Sequence, residues 1–107
     1  METFKFDSKY VQEPNASIRC GRFPDGSIAL RIESSFGEPL TTATVNLAQY
    51  GEHPEEGNVF VYGDYGHHEG VWRALYDAGI VGNALRIIEG PFNSQWYECP
   101  LLVKVEA

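Results

Sequence analysis

The sequence predicts an α+β fold: an antiparallel sheet of five or six strands with one α-helix packed on one face. Two observations carry that expectation. Apolar residues alternate with period two along several short stretches set apart by turn residues, and one stretch near residue 70 switches to a helical period. The 107 residues fit a single globular domain, 1–107. Apolar residues make up 43% and charged residues 21%, enough to drive a core and too little charge for a disordered chain.

The elements follow in order. Thr3 to Asp7 alternates and reads as an edge strand, broken by Glu13-Pro14-Asn15. Ser17 to Phe23 is the next strand. Pro24-Asp25-Gly26-Ser27 is a turn, because Pro presets φ and Gly accepts positive φ. Ile28, Leu30 and Ile32 then alternate with Ala29, Arg31 and Glu33, which completes a hairpin. After the turn Phe36-Gly37-Glu38-Pro39, the β-branched run Thr41 to Leu47 reads as a strand, with Ala43, Val45 and Leu47 on one face. A polar loop over 49–57 leads to the short apolar strand Asn58 to Tyr62.

Val71, Leu75 and Ala78 fall at i, i+4 and i+7, one face of a helix expected over Gly66 to Ala78. Asp64 suits its N-cap and Gly79 its C-terminus. Leu85 to Ile88 reads as a strand or an extended segment and 89–94 as a turn-rich loop. Trp96 to Val105 closes the chain as a strand interrupted at Pro100, where a missing N–H favours an edge or a bulge.

The net charge of −7 is unevenly placed. Arg31 and Arg73 are consecutive basic residues, and between them lie Glu33, Glu38, Glu52, Glu55, Glu56, Asp64 and Glu69. The rest of the chain balances. This pattern argues against direct binding to nucleic acid or to an anionic membrane, which needs a basic footprint. It suits a basic protein partner steered by the field, or simply a solvated surface. No apolar run reaches the roughly 18 residues of a membrane span. The N-terminal residues lack the pattern of a secretory leader, so the cytoplasm is the expected compartment and Cys20 and Cys99 are expected as free thiols.

Three stretches resemble a known family in this order. Gly37-Glu38-Pro39-Leu40-Thr41-Thr42-Ala43-Thr44-Val45-Asn46-Leu47 resembles the start of its Thr-Val-Asn-Leu strand. A short apolar strand and one helix ending at Gly follow, then Gly90-Pro91-Phe92-Asn93-Ser94-Gln95-Trp96-Tyr97-Glu98-Cys99-Pro100-Leu101. The order is similar to an uncharacterised family, a domain of unknown function in small proteins of bacterial conjugative elements and phages. The likeness covers roughly residues 17–103 and departs from the family at Gly66-His67-His68-Glu69, where the family is Asn-rich. It implies a mobile genetic element. In that setting, small acidic proteins resemble anti-CRISPR-like inhibitors, which occupy basic grooves of host defence complexes.

The sharpest local feature is Gly63-Asp64-Tyr65-Gly66-His67-His68-Glu69-Gly70, which reads as a metal site, an acid/base pair, or an exposed helix start. Zinc wants three or four convergent ligands, and adjacent histidines on a helix diverge. Cys20 and Cys99 read as buried, inert thiols. No phosphate-binding or nucleophile-elbow spacing is present. The reading assigns no catalytic residue, metal ligand or cofactor.

The leading expectation is therefore a non-enzymatic interaction module, an inhibitor of a basic host factor. Its surface is expected at Glu52, Glu55, Glu56, Asp64, Tyr65, Glu69 and Trp72, with the acids pairing to Arg or Lys and the aromatics anchoring. Two alternatives accompany it: a metal-binding module or enzyme centred on His67, His68 and Glu69, and a subunit that self-associates into a homo-oligomer through an edge strand.

Overall fold

The computed structural model describes residues 3–104. Its strands are β1 (Phe4–Asp7), β2 (Gln12–Arg22), β3 (Ile28–Glu33), β4 (Pro39–Thr42), β5 (Asn58–Tyr62), β6 (Arg86–Glu89) and β7 (Gln95–Pro100), with one α-helix, α1 (Val71–Asp77). The class is α+β and every strand pairing is antiparallel. One expectation is corrected: instead of one sheet of five or six strands there are two, a four-stranded sheet β1-β2-β3-β4 and a three-stranded sheet β5-β7-β6.

The division falls inside the β-branched run. β4 ends at Thr42, and the chain then changes partner. Ala43 N–H donates to Leu30 O of β3, while Ala43 O accepts from Tyr62 N–H of β5. Val45 N–H continues to Phe60 O. Thr44 is buried, and its Oγ1 accepts from Leu30 N–H at 2.9 Å. Residues 43–45 thus stitch one sheet to the other, a long-range choice that no local period announces.

Two further elements differ from their expected bounds. β2 runs straight through Glu13-Pro14-Asn15. The register slips by one residue there, from Phe6↔Glu13 to Phe4↔Ala16, and the extra residue is the bulge that accommodates a proline. The helix is shorter than its apolar stripe suggested. Gly66–His68 is a separate 3₁₀ turn, and Gly70, at φ 87°, precedes α1. A Cβ on Gly70 would sit 3.1 Å from Lys9 N, so backbone proximity and positive φ both require glycine. Asp64 does not cap α1 as expected; its Oδ1 accepts from Gly70 N–H at 3.0 Å. The closing strand stops at Pro100, and Val105 lies outside the described residues.

The main core joins both sheets to the helix. Phe6, Leu30, Ile32, Val59, Val61, Val71, Leu75 and Val81 are almost fully buried there. The other face of the three-stranded sheet carries a second core of Leu47, Phe60 and Trp96, flanked by Val45, Tyr62, Tyr65 and Ile88. The 45–50 segment covers that face, and Tyr50 stacks on Trp96 with ring centroids 5.7 Å apart.

Antiparallel connectivity sorts the loops to two ends. The β1–β2 turn (8–11), the β3–β4 turn (34–38), the β5–α1 loop (63–70) and the β6–β7 turn (90–94) lie at one end, the tip end. Contacts knit most of them together. Lys9 N–H donates to Glu69 O and Gly63 N–H donates to Gln95 O, while the 34–38 turn is tied to β2, where Ser35 N–H donates to Glu13 Oε1 at 3.0 Å. The β2–β3 turn and the 51–57 loop lie at the opposite end. Among the described residues no helix is long and apolar enough to cross a membrane.

Candidate interaction surface

The seven residues expected to form one surface are divided between the two ends. Glu55 and Glu56 precede Asn58, the first residue of β5, whereas Asp64 and Tyr65 follow Tyr62, its last. Five strand residues separate them, about 17 Å of extended chain.

At the end opposite the tips, Glu52 and Glu55 adjoin a buried carboxylate that sequence reading missed. Glu98 is 4% exposed and sits on the face that carries Phe60 and Trp96. Its Oε2 accepts from Glu55 N–H at 3.0 Å and Asn58 Nδ2 at 2.9 Å. Its Oε1 accepts from Arg86 Nε at 3.0 Å and Nη2 at 2.7 Å. Arg86 also pairs with Glu52 through Nη1 at 3.0 Å, so one guanidinium bridges two carboxylates, Glu52 and Glu98. Burial pushes the Glu98 carboxyl up, but the bonds from Asn58, Glu55 and Arg86 outweigh it and hold it below the ordinary glutamate value.

Glu55 and Glu56 side chains are exposed and form no ion pair among the described residues. They line a polar cleft of about 390 Å³ with Arg22, Asp25, His53 and Asn58. Asp25 Oδ2 faces His53 Nδ1 at 3.3 Å, while its Oδ1 takes Ser27 N–H and Oγ. The bonds from Ser27 and then His53 lower the Asp25 carboxyl's pKa. Ser27 bonds the carboxylate and not the imidazole, so the three residues do not form a nucleophile–base relay.

At the tip end, Glu69 pairs with Lys9 Nζ at 2.7 Å, and Asp64 is exposed. Tyr65 is half-buried against the second core, and burial raises its hydroxyl pKa. The two adjacent histidines diverge. His67 meets the Tyr10 ring, with centroids 5.9 Å apart, while His68 stacks on Tyr62 at 3.6 Å with planes 7° apart. Burial, and secondarily His67, lowers the His68 pKa. No group of three or more His, Cys, Asp or Glu side chains is gathered around a common point among the described residues.

Trp72, expected as an exposed anchor, is half-buried. Its Nε1 donates to Gly82 O at 3.3 Å, and its ring packs edge-on against Tyr97 at 5.8 Å. Cys20 is half-buried and Cys99 buried, and both are free thiols. Burial, and then Glu98, pushes the Cys99 thiol up to about 12, which leaves it protonated and unreactive at neutral pH.

The exposed aromatics at the tip end lie elsewhere than expected. Phe36 is 90% exposed and Phe92 is 99% exposed, each in a hairpin turn. Sequence reading treated both segments only as turns. Their signal was a large apolar residue where turn chemistry calls for a polar one. Comparison with protein families, curated proteins and solved structures finds no match for this chain.

Proposed function

We propose that this protein is a non-enzymatic interaction module that binds a basic protein partner. What supports the reading is the charge that the chain's own ion pairs leave over. Glu33 is held by Arg19 and Arg31, Glu52 by Arg86 and Glu69 by Lys9. Glu55 and Glu56 remain unpaired among the described residues and flank the cleft beside Asp25 and His53. An Arg or Lys of a partner placed there gains charge-assisted bonds, and the net charge of −7 speeds its approach. The resemblance to proteins of mobile elements makes a nucleic-acid-processing defence complex the first class of partner to test, since its basic groove is built for phosphate.

The test is affinity capture from bacterial lysate at low and high salt, with wild type and with Glu55→Lys/Glu56→Lys. A basic protein retained at low salt, lost at high salt, and bound at least tenfold more weakly by the double variant is the expected result. Equal retention by the double variant would assign these acids to solubility. Self-association is the second reading. β6 is an outer strand with Ile87 56% exposed, and light scattering on the purified protein would reveal an oligomer.

A further inference from the structure

We infer that the tip end is a second docking face, on which Phe36 and Phe92 anchor a protein partner whose apolar pockets are set in a basic surface. The inference builds on the interaction reading but names a face at the other end of the molecule from the Glu55–Glu56 cleft.

Backbone strain is the first argument. Phe92 has φ 59° and ψ 37°, and Asn93 follows at φ 63°. Asn visits this left-handed region readily; a bulky residue such as Phe is an outlier there. The ring is 99% exposed, so no packing inside the chain repays the strain. The turn is also held firmly. Gly90 N–H donates to Ser94 O, and Ser94 N–H and Oγ both donate to Pro91 O, the latter at 2.7 Å. A strained, rigid turn that presents an unburied aromatic is a geometry whose benefit lies outside the monomer.

Phe36 at the same end shares the exposure and the tied turn, without the left-handed backbone. Its turn is tied by Ser34, whose Oγ accepts from Phe36 N–H and Glu38 N–H, each at 3.2 Å. Fixed aromatic anchors lose little conformational freedom on binding, which is why they dominate interface energetics. Tyr10, 56% exposed, adds a third ring at this end.

Charge selects the occupant. Asp7, Glu13, Glu38, Asp64 and Glu89 all lie at or beside these turns, against Lys9, which Glu69 already engages. An anionic lipid surface or a second copy of this acidic chain would meet repulsion there, whereas a basic protein surface with pockets for the rings would not.

The experiment places photoreactive benzoyl-phenylalanine at position 36, at position 92, or at position 24 in the opposite turn, and cross-links in bacterial lysate. Positions 36 and 92 are expected to capture one and the same basic protein, and position 24 to miss it. With that protein purified, Phe36→Ala/Phe92→Ala should bind at least tenfold more weakly at an unchanged thermal midpoint. Phe92→Gly should raise the midpoint, by relieving the left-handed strain, while weakening the complex. Cross-links to different proteins, to another copy of this chain, to lipid or to nothing would overturn the inference. So would full affinity in the double alanine variant. If Glu55→Lys/Glu56→Lys alone weakens the complex, the interaction reading stands and only the tip face falls.

Discussion

Glu98→Ala is expected to destabilise the protein by about 3 kcal/mol, the cost of stripping a buried, fully bonded carboxylate from its donors. Four donor contacts converge on it: Glu55 N–H, Asn58 Nδ2, and Arg86 Nε and Nη2. Alanine leaves the first two without their acceptor, and leaves Arg86 with Glu52 alone. For a domain of this size the loss corresponds to a fall in thermal midpoint of about 15 °C, read by calorimetry. Glu98→Gln separates charge from shape. An amide keeps one acceptor but turns an N–H₂ group toward a donor, so it should cost less than alanine and still lose the pairing with Arg86.

The pH dependence has a fixed sign. The folded carboxyl titrates below its ordinary value of 4.5. Its contribution is therefore complete above that value and disappears as pH falls through the depressed folded value. Wild type and Glu98→Gln should differ most at neutral pH and converge in strong acid. A gap that stayed constant from pH 7 to pH 2 would show that Glu98 acts by shape alone. Asp25 and Glu33 are also held below the ordinary carboxylate range, so the difference between the two proteins, and not acid unfolding of wild type, isolates Glu98.

Local chemistry was legible where a local cause decided the outcome. Pro24-Asp25-Gly26-Ser27 makes the turn its residues demand, and Ile28, Leu30 and Ile32 lie in β3. Val71 and Leu75 bury one helical face. The sequence was silent where a distant partner decided. Nothing in Ala43-Thr44-Val45 marks the residue at which β3 is exchanged for β5. Gly70 reads as a helix residue until Ser8 and Lys9 press against it.

The candidate surface was legible in composition and not in arrangement. The mid-chain acids are concentrated where composition put them, but the fold engages Glu33, Glu52 and Glu69 in internal pairs that only three-dimensional proximity creates. Trp72 read as lying off the apolar stripe, but it packs at the margin of the main core, where Tyr97 of β7 and Gly82 of the loop after α1 close over it. Glu98 offered one missed clue. It shares parity with Trp96 along β7, so an inward Trp implied an inward carboxylate in need of a cation.

Gly90→Ala is expected to cost about 3 kcal/mol as well, by overpacking rather than by lost bonds. The backbone itself would tolerate alanine, since φ is −120°. The obstacle is space. A Cβ at this position would overlap the Trp96 ring and lie 2.5 Å from Ser94 Oγ. Neither neighbour can yield cheaply. Trp96 is 6% exposed, packed with Leu47 and Phe60 and covered by Tyr50, while Ser94 Oγ is committed to Pro91 O. Gly21→Ala is the matched control, because it lies in β2 outside the left-handed region with no atom within 4 Å of its would-be Cβ. It should leave the thermal midpoint within a degree or two of wild type. A displaced indole would change the tryptophan emission of Gly90→Ala, and equal midpoints for the two variants would disprove the packing argument. The same clash bears on the docking face. Trp96 and Ser94 are the floor on which the 90–94 turn rests, so moving them re-aims Phe92. In the folded fraction, Gly90→Ala should therefore weaken capture through position 92 more than capture through position 36, whose turn is tied to Ser34 and Glu13 instead.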